Sequence, residues 1–105
     1  MREMTPQELD EELTSEADIQ IVDVREAEEV GVSMLPGAIH IPMGDIEARH
    51  AELSNQRRTV VVCRSGGRSG KVTQYLSTQG FDRVYNLQGG MQAWAREVDP
   101  HLPVA

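Results

Sequence analysis

A chain of 105 residues with a net charge of −7, 39% apolar and only 4% aromatic side chains, suffices for one compact domain with an aliphatic core. No apolar run is long enough to span a bilayer, and Met1–Pro6 lacks the apolar core of a signal segment, so no membrane partner is expected and the cytoplasm is the expected compartment. The single cysteine, Cys63, excludes an intramolecular disulfide and fits a reducing compartment. Charge is unevenly placed. Eleven acids between Glu3 and Glu29 face Arg25 alone, whereas Arg57, Arg58, Arg64, Arg68 and Lys71 occur in a stretch without an acid. No extended basic stripe with interleaved aromatics exists, which argues against nucleic acid; a small anion near Cys63 remains compatible with the local field.

Thr5-Pro6-Gln7-Glu8 reads as a helix start, with Thr5 as N-cap and Glu8 closing a capping box. Leu9 and Leu13 give that helix one apolar stripe. Ile19 to Val24 reads as a buried strand, followed by Asp23-Val24-Arg25-Glu26 at its C-terminal end, where open parallel sheets hold their sites. Asp23 and Arg25 are expected to pin loops there by hydrogen bonds and ion pairs rather than to react. A short helix is expected from Glu26 to Val30, a turn at Leu35-Pro36-Gly37, a strand over Ala38–Ile41 and a helix over Gly44–Leu53.

The next stretch organises the chain. Val60-Val61-Val62 suits a strand covered on both faces, and Cys63 sits where it ends. Gly66, Gly67 and Gly70 allow a tight turn with inward N–H groups, and a helix is expected from Ser69 to a stop at Gly80. Cys63 is thus expected above a helix N-terminus, among amides and beside Arg64 and Arg68. Each feature favours the thiolate, the nucleophilic form of a cysteine. Val84–Leu87 reads as a further strand, Gly89-Gly90 as a sharp turn, and Met91-Gln92-Ala93-Trp94 as the opening of a last helix with Met91 and Trp94 in the core. The tail from Asp99 is expected to be loosely held. Strands alternating with helices argue an α/β domain with a mainly parallel sheet and helices on both faces.

Other chemistries fit less well. His40, His50 and His101 have no metal-ligand spacing with Cys63 or one another, so no metal is expected; His40 reads as a core-edge residue and His50 as a surface one. Without a Cys-x-x-Cys, dithiol cycling within the chain is excluded. A cysteine phosphatase also places a thiolate in a loop ahead of a helix, but such enzymes carry Cys-x5-Arg. Here the sixth position after Cys63 is Ser69, and Arg68 comes one residue too early.

Four segments in order resemble the signatures of the rhodanese homology domain, the single-domain sulfurtransferases: Asp23-Val24-Arg25-Glu26, Leu35–Pro42, Cys63–Ser69 and Gly89–Trp94. One departure is that Ser33-Met34-Leu35 stands where the second signature commonly begins Gly-His-Ile, a position read here as a packing variation. The resemblance implies a five-stranded, mainly parallel sheet between helices, no cofactor, and a sulfane-sulfur carrier at Cys63. By position, it implies that the backbone of Arg64, Ser65, Gly66, Gly67, Arg68 and Ser69 holds the terminal sulfur. The Arg64 and Arg68 side chains would guide a small anionic donor such as thiosulfate, and Asp23 and Arg25 would support the site. The implied acceptor is cyanide or a thiol. A carrier role, in which a sulfur-relay protein loads Cys63, is the implied alternative.

Overall fold

The computed structural model describes residues 1–105. Five strands form one sheet: β1 (Arg2–Met4), β2 (Ile19–Asp23), β3 (Ile39–His40), β4 (Arg58–Val62) and β5 (Val84–Leu87). Their order is β1-β5-β4-β2-β3, and all four pairings are parallel. The central strand is β4, whose Val60, Val61 and Val62 are fully buried, as β-branched side chains covered on both faces should be.

Period-two alternation divides the core. Ile21, Val60 and Val62 face a cluster with Met4, Leu9, Leu87, Met91 and Trp94, built from helices α1 (Pro6–Thr14) and α5 (Gly90–Glu97). Val22, Val61 and Cys63 face the opposite cluster with Val72, Leu76 and Phe81, beneath α4 (Gly67–Thr78). Two short helices complete the domain: α2 (Ala27–Val32) after β2, and α3 (Ile46–Arg49) between single 3-10 turns. No helix is long and apolar enough to cross a membrane.

Local signals act as expected at α1. The Thr5 hydroxyl accepts the Glu8 N–H at 3.1 Å, and Glu8 accepts the Thr5 N–H at 2.9 Å, closing the capping box. Three segments differ from the sequence reading. The helix after Cys63 starts at Gly67, two residues before Ser69, because Gly66 at φ +105° absorbs the turn in one step. Gly44–Leu53 is not one helix but a 3-10 turn, one α turn and another 3-10 turn; only Ile46 in these three pieces is buried, too little to hold a longer helix. The tail from Asp99 is seated rather than loose. Leu102 and Val104 pack on the α1/α5 cluster, the Ser33 hydroxyl donates to the Pro103 carbonyl, and Arg64 donates to the Ala105 carbonyl.

The register places the chemistry. Asp23 lies opposite both His40 and Val62, so the C-terminal ends of β2, β3 and β4 meet at one edge, with Cys63 one step beyond the central strand. The strand order runs away from β4 in both directions, the arrangement in which open parallel sheets carry their sites at that edge.

Candidate active site

Strand β4 delivers Cys63 into the loop Cys63–Gly66, and α4 begins immediately after it. The Gly66 N–H donates to Cys63 Sγ at 3.0 Å, and the Ser69 hydroxyl lies 3.2 Å from the same sulfur. Burial pushes the thiol up, but the Ser69 hydroxyl and the amides of Ser69, Gly66 and Ser65 outweigh it, so the Cys63 thiol sits below its ordinary range. The N-terminal end of the 12-residue α4 acts in the same direction. Cys63 itself is only 1% exposed.

Two partners of the loop are not evident from local sequence. Asn86, 2% exposed in β5, donates through Nδ2 to the Gly66 carbonyl at 3.1 Å and to Glu3 Oε2 at 3.3 Å. Those bonds orient its Oδ1 toward the Ser69 hydroxyl, 2.5 Å away. Ser69 has one hydroxyl proton for two acceptors, Asn86 Oδ1 and Cys63 Sγ, and the anionic sulfur is the stronger claimant. The only signal in the sequence is an asparagine inside an otherwise apolar strand.

The second partner is Gly90, at the start of α5. Met91 and Gln92 donate their N–H groups to the carbonyls of Cys63 (2.8 Å) and Arg64 (3.0 Å). The loop's carbonyls are thereby turned outward and tied down, which leaves its N–H groups facing the sulfur. That approach leaves no room for a side chain: a Cβ on Gly90, which sits at φ +61°, would lie 2.5 Å from the Cys63 oxygen and 2.6 Å from Arg64 C and O.

The structure brings Asp23 and Arg25 together beneath the site as a fully buried pair. Arg25 Nη2 and Nε reach Asp23 Oδ2 and Oδ1 at 2.7 and 2.9 Å, and Nη2 also donates to the Ser33 carbonyl at 2.7 Å. His40 Nε2 bonds the Arg25 carbonyl at 2.7 Å and is half-buried, as a core-edge residue should be. His50, expected at the surface, is half-buried with its ring edge-on to Tyr75 at 5.7 Å. Around the loop mouth, Ser65 and Gly67 are exposed. The two loop arginines separate. Arg64 is exposed, whereas Arg68 is held by Glu29 in a two-pronged ion pair at 2.7 and 2.8 Å. The resemblance implies Arg68 as an anion guide beside Arg64; here its guanidinium is paired with an acid on α2.

Comparison with known proteins agrees with this arrangement. The family model described as Rhodanese-like domain matches residues 5–97. YtwF of Bacillus subtilis (strain 168), named as a candidate sulfurtransferase, is 42% identical over 100 residues, covering 95% of this chain and 96% of that one. A protein of Allochromatium vinosum named Sulfurtransferase is 40% identical over 96 residues, 91% of this chain and 90% of its own. Among solved structures, a rhodanese-like domain protein from Staphylococcus aureus superposes with a TM-score of 0.86 at 35% identity, covering 100% of this chain and 99% of that one. With its five-stranded parallel sheet, its cysteine loop and a family match over most of its length, the chain belongs to the rhodanese-like domain family.

Proposed function

We propose that this sulfurtransferase-type domain carries sulfane sulfur as a persulfide on Cys63, taking it from a small anionic donor and passing it to a nucleophilic acceptor. The observation that supports this most is the inward Gly66 N–H and Ser69 hydroxyl at 3.0 and 3.2 Å from Sγ, at a helix N-terminus. With thiosulfate as donor, the Cys63 thiolate attacks the outer sulfur. A bond forms between Sγ and that sulfur, the S–S bond of thiosulfate breaks, and sulfite leaves with the bonding pair. The negative charge then rests on the terminal sulfur of the persulfide, where the backbone N–H groups from Arg64 to Ser69 stabilise it. Cyanide carbon or a thiolate attacks that sulfur, the Sγ–S bond breaks, and the electron pair returns to Sγ. As the thiolate re-forms, the Ser69 proton can turn from Asn86 back to Sγ.

Arg64 is the guanidinium available to meet an incoming anion, and Asp23 and Arg25 act as supports beneath the loop. The proposed compartment is the cytoplasm, which keeps a lone thiol reduced.

Steady-state thiocyanate release from thiosulfate and cyanide tests the reading. Cys63→Ser is expected to reduce release to background, a loss of about a thousandfold or more for removal of a covalent nucleophile. Wild-type protein that loads sulfur yet releases negligible thiocyanate would instead be a carrier filled by a sulfur-relay partner. Release that survives the serine substitution would refute the role of Cys63.

A further inference from the structure

The rim of the Cys63 loop holds two guanidinium groups with opposite fates. Arg64 is exposed and bonds only through Nε, to the Ala105 carbonyl at 2.8 Å. Arg68 commits both terminal amino groups to the two carboxylate oxygens of Glu29. A bidentate pair of this kind takes the end-on fork of the guanidinium and neutralises its charge, leaving a second anion only the side N–H groups of an already paired cation. Glu29 is itself fixed: its Oε1 also accepts the Glu26 N–H at 3.0 Å, and its carbonyl lies 3.5 Å from Nη1 of the buried Arg25. The Arg68 hydrogen bonds pull the Glu29 carboxyl down to about 2, against its partial burial, so it stays ionised wherever a thiolate is present. Glu26 adds to the negative field that Arg68 feels, and the exposed Glu28 stands on the same helix turn.

The first charge of an approaching donor is therefore met by Arg64 and the loop amides. The other rim cation, Arg68, is already neutralised by Glu29, with Glu26 adding to the negative field there, so a second charge gains little from it. We propose that Glu29 is a specificity-determining residue: by occupying Arg68 at the loop rim, it selects monoanionic or uncharged donors, such as persulfides and organic thiosulfonates, over dianionic ones such as thiosulfate. This deepens the sulfur-transfer reading and rests on it for the identity of the donor.

The test pairs two probes that differ by one charge and uses Glu29→Gln, which keeps an oxygen for the Glu26 N–H while releasing Arg68. The rate of Cys63 alkylation by iodoacetate is divided by that by iodoacetamide, a ratio in which the thiolate fraction cancels. Glu29→Gln is expected to raise the ratio about tenfold, the effect of one nearby charge at intermediate dielectric. Glu28→Gln, the same charge change without contact to Arg68, should leave it within twofold. For the donors, wild-type kcat/KM is expected to be higher for methanethiosulfonate than for thiosulfate, and Glu29→Gln to narrow that gap about tenfold by improving thiosulfate. Ratios that stay within twofold of wild type in Glu29→Gln overturn the inference. A shifted alkylation ratio with no sulfur loaded from either donor upholds charge selection by Glu29 and refutes sulfur transfer, so the two failures are distinct.

Discussion

Replacing Arg25 with methionine is expected to lower the unfolding free energy by about 3–5 kcal/mol, the cost of stranding one member of a buried ion pair. Whole domains of this size are stable by only about 5–15 kcal/mol, so the variant should unfold at much lower urea concentration. The expectation follows from burial: the side chains of Arg25 and Asp23 are 0% and 1% exposed, so the orphaned Asp23 carboxylate has no water to turn to. Asp23→Leu alone should cost a similar amount by stranding Arg25. The double variant should recover part of that loss, because no buried charge remains. Trp94, the only tryptophan and 6% exposed, reports the transition by fluorescence. Single variants within about 1 kcal/mol of wild type would show that the pair does not hold the floor of the site.

Gly90→Ala is expected to damage the site from the opposite side. The added Cβ meets the Cys63 and Arg64 backbone at 2.5 and 2.6 Å, and the left-handed φ of +61° is unfavourable for alanine. Overpacking and the backbone conformation together should cost about 3 kcal/mol. The greater consequence is local. Pushing α5 outward breaks the bonds from Met91 and Gln92 to the loop carbonyls, and the amides facing Sγ lose their aim. Wild-type Cys63 should be alkylated with a midpoint below that of an unperturbed thiol, since the Ser69 hydroxyl and the loop amides favour the deprotonated form despite burial. In Gly90→Ala that midpoint should rise, so reactivity at neutral pH falls as the thiolate fraction shrinks. Gly67→Ala is the internal comparison: a Cβ there meets nothing within 4 Å, and both stability and midpoint should stay near wild type. Equal behaviour of the two alanine variants would contradict the account of the loop.

What the sequence conveys well is whatever is decided locally. Thr5 and Glu8 cap a helix across three residues, Val60–Val62 can hardly avoid a central strand, and glycines next to Cys63 already announce a tight turn ahead of α4. The parallel sheet follows from alternating elements and from the family resemblance. What stays hidden is chosen by distant chain. Glu29 meets Arg68 across 39 positions and Asn86 meets Ser69 across 17, and neither spacing has a local signature. Reading Arg64 and Arg68 as equivalent cations therefore missed the acid that separates them. The tail fails as a local prediction for the same reason, since seven residues with only Leu102 and Val104 to bury give no hint of the cluster that receives them. Gly90 is an intermediate case: its sharp turn is legible, but the backbone it must admit is visible only once α5 and the Cys63 loop are seen together.

The central claim is that Cys63 holds sulfur as an anion beneath inward N–H groups. It is tested most directly by the intact mass of the wild-type protein after excess thiosulfate and then after cyanide. The account predicts a gain of one sulfur atom, on Cys63, that cyanide removes. An unchanged mass in protein whose Cys63 is still readily labelled by iodoacetamide would contradict it.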